Sequence, residues 1–454
     1  MSNYLSLSSK SASRGALSRN LQSTLLFLLP SFIQKRIRKS DNVRKLHKTS
    51  FLDGVRGLAA LFVFFYHTVM SDARWLMPAY GRSEINFFTQ LPIFRLIYSG
   101  PGMVHIFFVI SGYVLSIKHV RLVRQGNFEK LSETLFSSIF RRPFRLFIPC
   151  IVGLVYLEWT VIIGIHPGLG RGLWNRLTLL VHLWRWDEMD YNLKFLWTIP
   201  IEMAGSLLLF LLILGLSRAK TQVRMLALVI LFYHSLCAGK WGPAEFIGGI
   251  FIAEVEAALE EDELDEMSTK RSWSPQLSEG LKSLNTCFWT CALVAGLYLA
   301  GWSTIDTPDV PVLGQLYPYT PAIYLTHGNW DVPLCFWFVF SSMLIIESLF
   351  RVPIFQRPFL AEPIQYLGDI SYSLYIMHGC FPMLWRERIA YHTRLFFGAT
   401  GTGWPRNIAA ILAEIAIMGI FNIWISDLFM RVVDNKSVEF ARFMEKICRR
   451  RKAP

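Results

Sequence analysis

Long apolar runs separated by short polar segments fill most of the 454-residue chain. A helix that spans a membrane needs about 20 consecutive, mostly apolar residues. Eight runs meet this requirement: 51–70, 101–117, 144–165, 197–216, 285–302, 332–350, 367–384 and 407–426. Two weaker runs, 225–238 and 244–259, raise the expected count to about ten. The pattern therefore predicts an all-α, polytopic membrane helix bundle.

The distribution of positive charge indicates how such a bundle is oriented. With an even number of spans and the N-terminus inside, the cytosolic segments hold 33 of the 46 Lys and Arg residues, and the outer loops hold 12. Cytosolic loops of membrane proteins carry the excess of basic residues. We therefore expect both termini in the cytosol, with a basic N-terminal arm (1–50), a transmembrane domain (51–430) and a basic C-terminal tail (431–454).

Composition supports a membrane protein and excludes several other classes. Hydrophobic residues make up 53% and charged residues only 17% of the chain, against about 45–50% and about 25% in soluble domains. Seven cysteines without a C-x-x-C pair exclude a small disulfide scaffold and give no redox motif. The net charge of +13 fits the topology and attraction to anionic lipid, so we expect no nucleic-acid partner.

Two segments outside the strong runs have unusual charge. Residues 1–40 lack Asp and Glu and are rich in Ser, Lys and Arg. We interpret them as a cytosolic arm with a stretch that touches the membrane surface, with a cleaved mitochondrial presequence as the alternative. Residues 254–267, EVEAALEEDELDEM, contain eight acids and no base. We expect a solvated cytosolic loop there, with a regulatory or partner site as the alternative.

The first apolar run contains an arginine and a histidine that share a helix face. Arg56 and His67 are eleven residues apart, which corresponds to three helical turns plus about 20° and to about 16 Å along the axis. Ionisable groups inside a bilayer cost free energy and are candidates for function. The structural alternatives are an arginine that reaches the headgroups and a histidine that bonds a neighbouring helix.

Three arginines cluster at the start of the third run, two immediately before it and one within it. Arg141, Arg142 and Arg145 lie within five residues, and guanidinium groups suit bidentate phosphate contacts. The alternative is an anchor at the cytosolic interface. The sequence thus offers a candidate phosphate site.

Hydroxyl, carboxylate and imidazole groups occur in three other runs. Ser111 and Tyr113 lie in the run 101–117, and Glu202 lies near the start of the run 197–216. Tyr375 and His378 belong to a polar stripe on one helix face of the run 367–384. The alternatives are hydrogen bonds between helices and, for Glu202, a water-contacting helix end. Each residue is a candidate for binding or orienting a substrate.

Five motifs in fixed order give these residues a common context. They are LDGVRGLAALFVFFYH, FFVISGYVLS, RRPFRLFIP, LWTIPIE and LGDISYSLYIMHG, spread over residues 51–430. In these motifs the sequence resembles the acyltransferase 3 family of polytopic membrane proteins, and its filamentous-fungal members most of all. The resemblance implies transfer of an acyl group, typically from acetyl-CoA on the cytosolic side, to a hydroxyl of a sugar, polysaccharide, terpenoid or polyketide.

The resemblance also implies roles for individual residues. Arg56 and His67 match the pair regarded as essential in the family. Arg142 and Arg145 match an Arg-x-x-Arg motif thought to meet CoA, with Arg141 expected to help. The fourth conserved stretch has an acidic position, which Glu202 occupies.

The sequence departs from the bacterial members of the family at two positions. His105 and Met203 stand where bacterial members often carry acids, so a mechanism that needs either carboxylate lacks support. We also see no long hydrolase-like C-terminal domain, which favours a small lipophilic acceptor, with a cell-surface sugar or polysaccharide as the alternative.

The expected reaction uses acetyl-CoA as a cosubstrate, with no bound cofactor, no metal and no obligate protein partner. The pantetheine arm enters along the face of Arg56, and His67 acts as general base on the acceptor hydroxyl or as the acyl carrier. Glu202, Tyr113 and His378 are candidates for orienting His67 or binding the acceptor. Ser111 and Tyr375 are further candidates for binding or orienting a substrate. The endoplasmic reticulum or another endomembrane is the expected location. A polytopic transporter and a catalytically silent, receptor-like relative are the functional alternatives.

Overall fold

The fold is all-helical over the residues that the computed structural model describes, which are 22–38, 45–82, 86–162, 174, 177–178, 195–269, 275–305, 307–325, 332–399 and 404–449. The α-helices of eight or more residues in these ranges are α1 (Ser50–Asp72), α2 (Gly100–Arg124), α3 (Phe128–Ile162), α4 (Thr198–Leu216), α5 (Thr221–Cys237), α6 (Trp241–Thr269), α7 (Pro275–Ala300), α8 (Val332–Arg351), α9 (Glu362–Asp369), α10 (Ser371–Phe397), α11 (Trp404–Phe429) and α12 (Asn435–Cys448).

Six helical segments among the described residues are long and apolar enough to cross a membrane. They are Ser50–Asp72, Gly100–Arg124, Thr198–Leu216, Ser283–Ala300, Pro333–Arg351 and Arg406–Cys448. The helices α3, α6 and α10 are not among these segments, and α5 is short at 17 residues. The expected all-α architecture agrees with this fold. The count of ten spans and the cytosolic termini stay predictions.

Parts of the predicted segments fall beyond the described ranges. The last three residues of the run 144–165, residues 1–21 of the arm and residues 450–454 of the tail lie outside the described residues.

The helices pack around α2, which contacts α1, α4, α6 and α8. Glycines allow a close approach at the crossing of α2 and α6. A Cβ on Gly249 would lie 2.6 Å from the backbone of Gly112, so neither position accepts a side chain. The hydroxyl-bearing motif of the second run is thereby fixed against α6, as expected where membrane helices approach closely.

The segment expected as a loop between the second and third runs is a helical hairpin. Helix α2 continues to Arg124, a turn follows in which Gly126 has φ +67°, and α3 begins at Phe128. The turn needs a residue that tolerates the left-handed region, which glycine does. The three clustered arginines consequently lie in the middle of a 35-residue helix and not at its start.

The acidic segment 254–267 is also helical, so the expectation of a solvated loop was wrong. It forms the second half of α6, where acids pair with arginines of neighbouring helices. Arg224 donates to Glu254 at 2.8 Å, and Arg124 donates to Glu261 at 2.9 Å. The hydrogen bond from Arg124 lowers the pKa of the Glu261 carboxyl. Opposite charges on adjacent helices thus help to order a segment that carries eight acids.

The run 367–384 does not form one helix. Helix α9 ends at Asp369 and α10 begins at Ser371. At this break the backbone of α9 lies directly against α1, since a Cβ on Gly57 would lie 2.4 Å from the Gly368 nitrogen. The close packing of two glycines therefore explains a junction that hydropathy alone did not show.

Part of the predicted N-terminal arm is fastened to the helix bundle. The main-chain N–H and the hydroxyl of Ser31 donate to one oxygen of Asp427 at 2.9 and 2.6 Å, and the hydroxyl of Tyr366 donates to it at 2.9 Å. Arg431 donates to the other oxygen at 2.6 Å and to the carbonyl of Phe27 at 2.7 Å. We call residues 27–34 the N-terminal clasp, because they satisfy a carboxylate that is fully buried.

Candidate active site

A cavity of about 430 Å³, which we call the central cavity, is lined by residues of α1, α2, α3, α4 and α10. One end is formed by the first turns of α1, by the α9–α10 junction and by the segment that joins α11 to α12. The other end is formed by the start of α4 and by Tyr375 of α10. Six of the ten site residues expected from sequence line this cavity: Arg56, Ser111, Arg142, Arg145, Glu202 and Tyr375.

Two of these residues bond to each other. One terminal nitrogen of Arg142 donates to the carboxylate of Glu202, while its Nε donates to the hydroxyl of Ser206 at 2.9 Å. The pair joins α3 to α4 and largely neutralises both charges. Glu202 thus bonds an arginine, and no described contact links it to His67 or His378.

The guanidinium groups of the other two cavity arginines are less fully neutralised by neighbouring carboxylates than that of Arg142. Arg145 is exposed to the cavity and forms no hydrogen bond or ion pair with any described residue. Arg56 lies 3.9 Å from Asp53, at the limit of an ion pair. Asp369 and Asp434 also line this end of the cavity. Unpaired guanidinium groups in a concave site are binding groups for phosphate or carboxylate.

Tyr375 closes the opposite end of the cavity. Its hydroxyl donates to the main-chain carbonyl of Phe195 at 2.6 Å, and the hydroxyl of Thr198 donates to it at 2.5 Å. Both polar contacts hold the phenol ring in place, so Tyr375 forms a wall of the cavity that also packs against His378.

The two histidines lie behind this wall and pack against each other. The imidazole rings of His67 and His378 have centroids 5.1 Å apart and planes tilted by 28°. The Tyr375 ring lies 5.4 Å from His378, and the Phe195 ring lies 5.6 Å from it. His378 is buried, whereas the side chain of His67 is exposed. The structure therefore brings the two predicted histidines together, but neither lines the cavity.

Two residues expected at the site lie elsewhere. Arg141 contacts Glu445 of α12 at 3.2 Å and the carbonyl of Ser137 at 3.1 Å, so its guanidinium points away from the cavity. Tyr113 is buried and packs against Phe350 with ring centroids 4.8 Å apart. It faces the side of α2 opposite to that of the cavity residues. Both differences arise from neighbours that are distant in sequence.

The cavity also contains acids that the sequence interpretation missed. Asp53, Asp369 and Asp434 line it. Asp53 and Asp369 sit inside the motifs LDG and LGD, which was the available signal. Asp434 ends a five-residue π-helical segment between α11 and α12, and such irregular turns occur often at functional sites. No sequence pattern indicates that turn.

A second missed residue is the partner of His105. Glu245 of α6 lies 2.7 Å from Nδ1 of His105, and Ser342 donates to the same carboxylate at 3.3 Å. All three residues are buried. The acid absent from the second motif is thus replaced in space by a carboxylate from another helix.

Comparison with known proteins adds independent information. The profile of a family described as an acyltransferase domain (Acyl_transf_3) matches residues 49–431. The chain is 28% identical to "O-acetyltransferase PaAT-1" of Phomopsis amygdali, over 93% of this chain and 88% of that protein. It is 27% identical to "Acyltransferase clz18" of Cochliobolus lunatus, over 87% and 93% of the respective chains.

A third relative is "Acyltransferase R4" of a Phoma species, which is 24% identical over 73% of this chain and 82% of that protein. No solved structure matches the chain.

Proposed function

Because the chain belongs to the acyltransferase 3 family, we propose that it is a membrane O-acetyltransferase that moves an acetyl group from acetyl-CoA to a hydroxyl of a small lipophilic metabolite, such as a terpenoid or a polyketide. The relative from Phomopsis amygdali carries the name O-acetyltransferase, which supports the acetyl group and the oxygen acceptor.

The observation that carries the proposal is the free guanidinium of Arg145 in the central cavity. A guanidinium that faces a cavity and bonds no described residue is available to bind an anion, so an anion is expected to complete the site. The phosphates of CoA supply that anion through charge-assisted hydrogen bonds. Arg56 adds a second positive charge at the same end. Arg142 is held by Glu202 and in our proposal shapes the wall more than it binds phosphate.

The lining of the cavity, with charged and apolar residues, suits a donor that has a charged head and a less polar arm. The charged end holds the phosphates, and the pantetheine arm lies along residues of α2 such as Phe107 and Ser111. The thioester then approaches Tyr375, which separates it from the histidines. Displacement of Tyr375 from its bonds to Phe195 and Thr198 brings the thioester next to His67.

The chemistry in our proposal needs one base. His67 accepts the proton of the acceptor hydroxyl while the hydroxyl oxygen attacks the thioester carbonyl. The carbon–sulfur bond breaks, and the departing thiolate takes the proton from His67, so that the products are an acetyl ester and CoA. General base catalysis of this kind contributes about 10²–10⁴-fold to a rate.

The place of His67 favours a lipophilic acceptor. His67 lies in α1, one of the segments long and apolar enough to span a membrane, five residues before its end. A hydroxyl that reaches this position must leave bulk water, and a molecule that already partitions into lipid does so at lower cost. An endomembrane such as the endoplasmic reticulum is the proposed location.

The test uses membranes from cells that express the full chain, incubated with acetyl-CoA labelled in the acetyl group and with terpenoid alcohols such as geraniol and farnesol. We expect labelled acetyl esters in the organic extract, and none with membranes from cells that lack the protein. Membranes that form no labelled ester and release no CoA thiol above background contradict the proposal.

A further inference from the structure

The hydrogen bond at Nδ1 of His378 fixes which of its nitrogens carries a proton. Nδ1 bonds the main-chain carbonyl of Tyr375, and a carbonyl oxygen only accepts. Nδ1 is therefore the protonated nitrogen of the neutral ring, and Nε2 bears a lone pair that only accepts a hydrogen bond. The backbone of α10 thus sets the tautomer of this histidine.

The lone pair of Nε2 has no hydrogen-bond partner among the described residues, although the atom is buried. A buried polar atom without a partner is rare and calls for an explanation. Because the atom is inaccessible, a substrate in the cavity does not reach it directly. The missing donor should therefore be a protein group that already packs against this ring.

Among the described residues, three aromatic rings pack against His378, and one of them has an N–H to offer. Phe195 has no polar atom in its ring, and the hydroxyl of Tyr375 already donates to a carbonyl. His67 lies 5.1 Å away between centroids, and its ring makes no hydrogen bond within the described part of the chain. A neutral imidazole carries one N–H.

We propose that His378 is the positioning residue of His67. A small rotation of the His67 ring lets its N–H donate to Nε2 of His378, which leaves the second nitrogen of His67 with a lone pair toward the substrates. This inference rests on the proposed function, in which His67 is the base.

The resulting chain of bonds runs from the acceptor hydroxyl to the backbone. The hydroxyl donates to His67, His67 donates to His378, and His378 donates to the carbonyl of Tyr375. When His67 takes the acceptor proton, its bond to His378 becomes charge-assisted and stronger. The same proton leaves with the CoA thiolate, so His378 stays neutral and no net proton is gained or lost.

The experiment compares His378→Leu with His378→Gln in the full chain. Leucine keeps most of the volume but has no acceptor, whereas the side-chain oxygen of glutamine can replace Nε2. We measure kcat and KM for acetyl-CoA from labelled ester formation with farnesol, or from thiol release to water if the wild type does not acetylate farnesol. Unfolding temperatures in detergent identify any variant that fails to fold.

We expect the leucine variant to lose about 10- to 100-fold in kcat, as when a functional histidine loses its orienting partner, with KM for acetyl-CoA unchanged. The glutamine variant should recover at least part of that loss. A folded leucine variant with wild-type kcat, or with a raised KM alone, overturns the inference. If the leucine variant fails to fold, the folded glutamine variant provides the test. A kcat within about ten-fold of wild type supports the inference, and a greater loss overturns it.

Failure of the proposed function has a different signature. A wild-type protein that neither forms ester nor releases thiol from acetyl-CoA removes the acyltransferase proposal, whatever the His378 variants do.

Discussion

Tyr375 and His378 lie one helical turn apart on α10 but face two different spaces. Tyr375 lines the central cavity, and His378 stacks on His67 behind it. The main-chain carbonyl of Tyr375 bonds His378, so the same residue closes the proposed donor cavity and holds the proposed histidine pair. This relationship makes Tyr375 a partition between donor and base.

This position of Tyr375 predicts that its side chain limits the hydrolysis of acetyl-CoA in the absence of an acceptor. Tyr375→Phe removes the hydroxyl that bonds Phe195 and Thr198 and keeps the ring. The loss of about 1 kcal/mol of hydrogen bonding should raise thiol release from acetyl-CoA without an acceptor by about five-fold. Thr198→Val, which removes one of the two bonds, should show a smaller rise. Unchanged hydrolysis in both variants contradicts the partition.

Because Arg145 bonds no described residue, its substitution should weaken the binding of acetyl-CoA, whereas substitution of Arg141 should not. Arg145→Gln should raise KM for acetyl-CoA by about 10-fold or more, since a hydrogen bond to a charged group contributes about 1.5–3 kcal/mol. Arg141→Gln is the matched comparison, because that guanidinium bonds Glu445 and Ser137 outside the cavity. Equal KM values for the two variants would exclude Arg145 as the phosphate site.

The pairing of Arg142 with Glu202 predicts non-additive effects on stability. Each single substitution, Arg142→Met or Glu202→Gln, leaves the other member of a half-buried pair without its partner. The double variant should be less destabilised than the sum of the single variants, with a coupling energy of about 0.5–3 kcal/mol. Thermal unfolding in detergent measures this, and additive shifts would mean that the pair does not form.

The N-terminal clasp predicts that part of the arm belongs to the mature fold. Ser31→Ala removes one of the hydrogen bonds to the buried Asp427 and should lower stability by about 1–3 kcal/mol. Lys35→Ala, at an exposed position of the short helix Ser31–Ile37, is the control and should change little. The same contacts predict that protein isolated from native membranes retains residues 27–34. A mature N-terminus after Ser31 would support the presequence interpretation instead.

The sequence predicted the helical class and six of the residues that line the cavity, because both follow from local patterns. Apolar runs indicate helices, and the motifs contain Arg56, Glu202 and Tyr375. Helical periodicity also placed Arg56 and His67 on one face of α1. It did not show that Tyr375, from a helix about 300 residues later, separates them.

The remaining differences depend on contacts between distant segments. Arg141 and Arg145 are four residues apart and share a helix face, yet Glu445 of α12 binds only the first. Tyr113 follows Ser111 by two residues and is turned to the opposite side of α2, where Phe350 receives it. The acidic half of α6 is ordered by arginines from three other helices. No local pattern contains these partners.

The central claim is that His67 carries the proton in an acetyl transfer from acetyl-CoA, and the most direct test is ester formation by His67→Ala in membranes with labelled acetyl-CoA and a terpenoid alcohol that the wild type acetylates. The account predicts a loss of about 10²–10⁴-fold in the rate of ester formation with KM for acetyl-CoA unchanged. Ester formation by His67→Ala at the wild-type rate would contradict it.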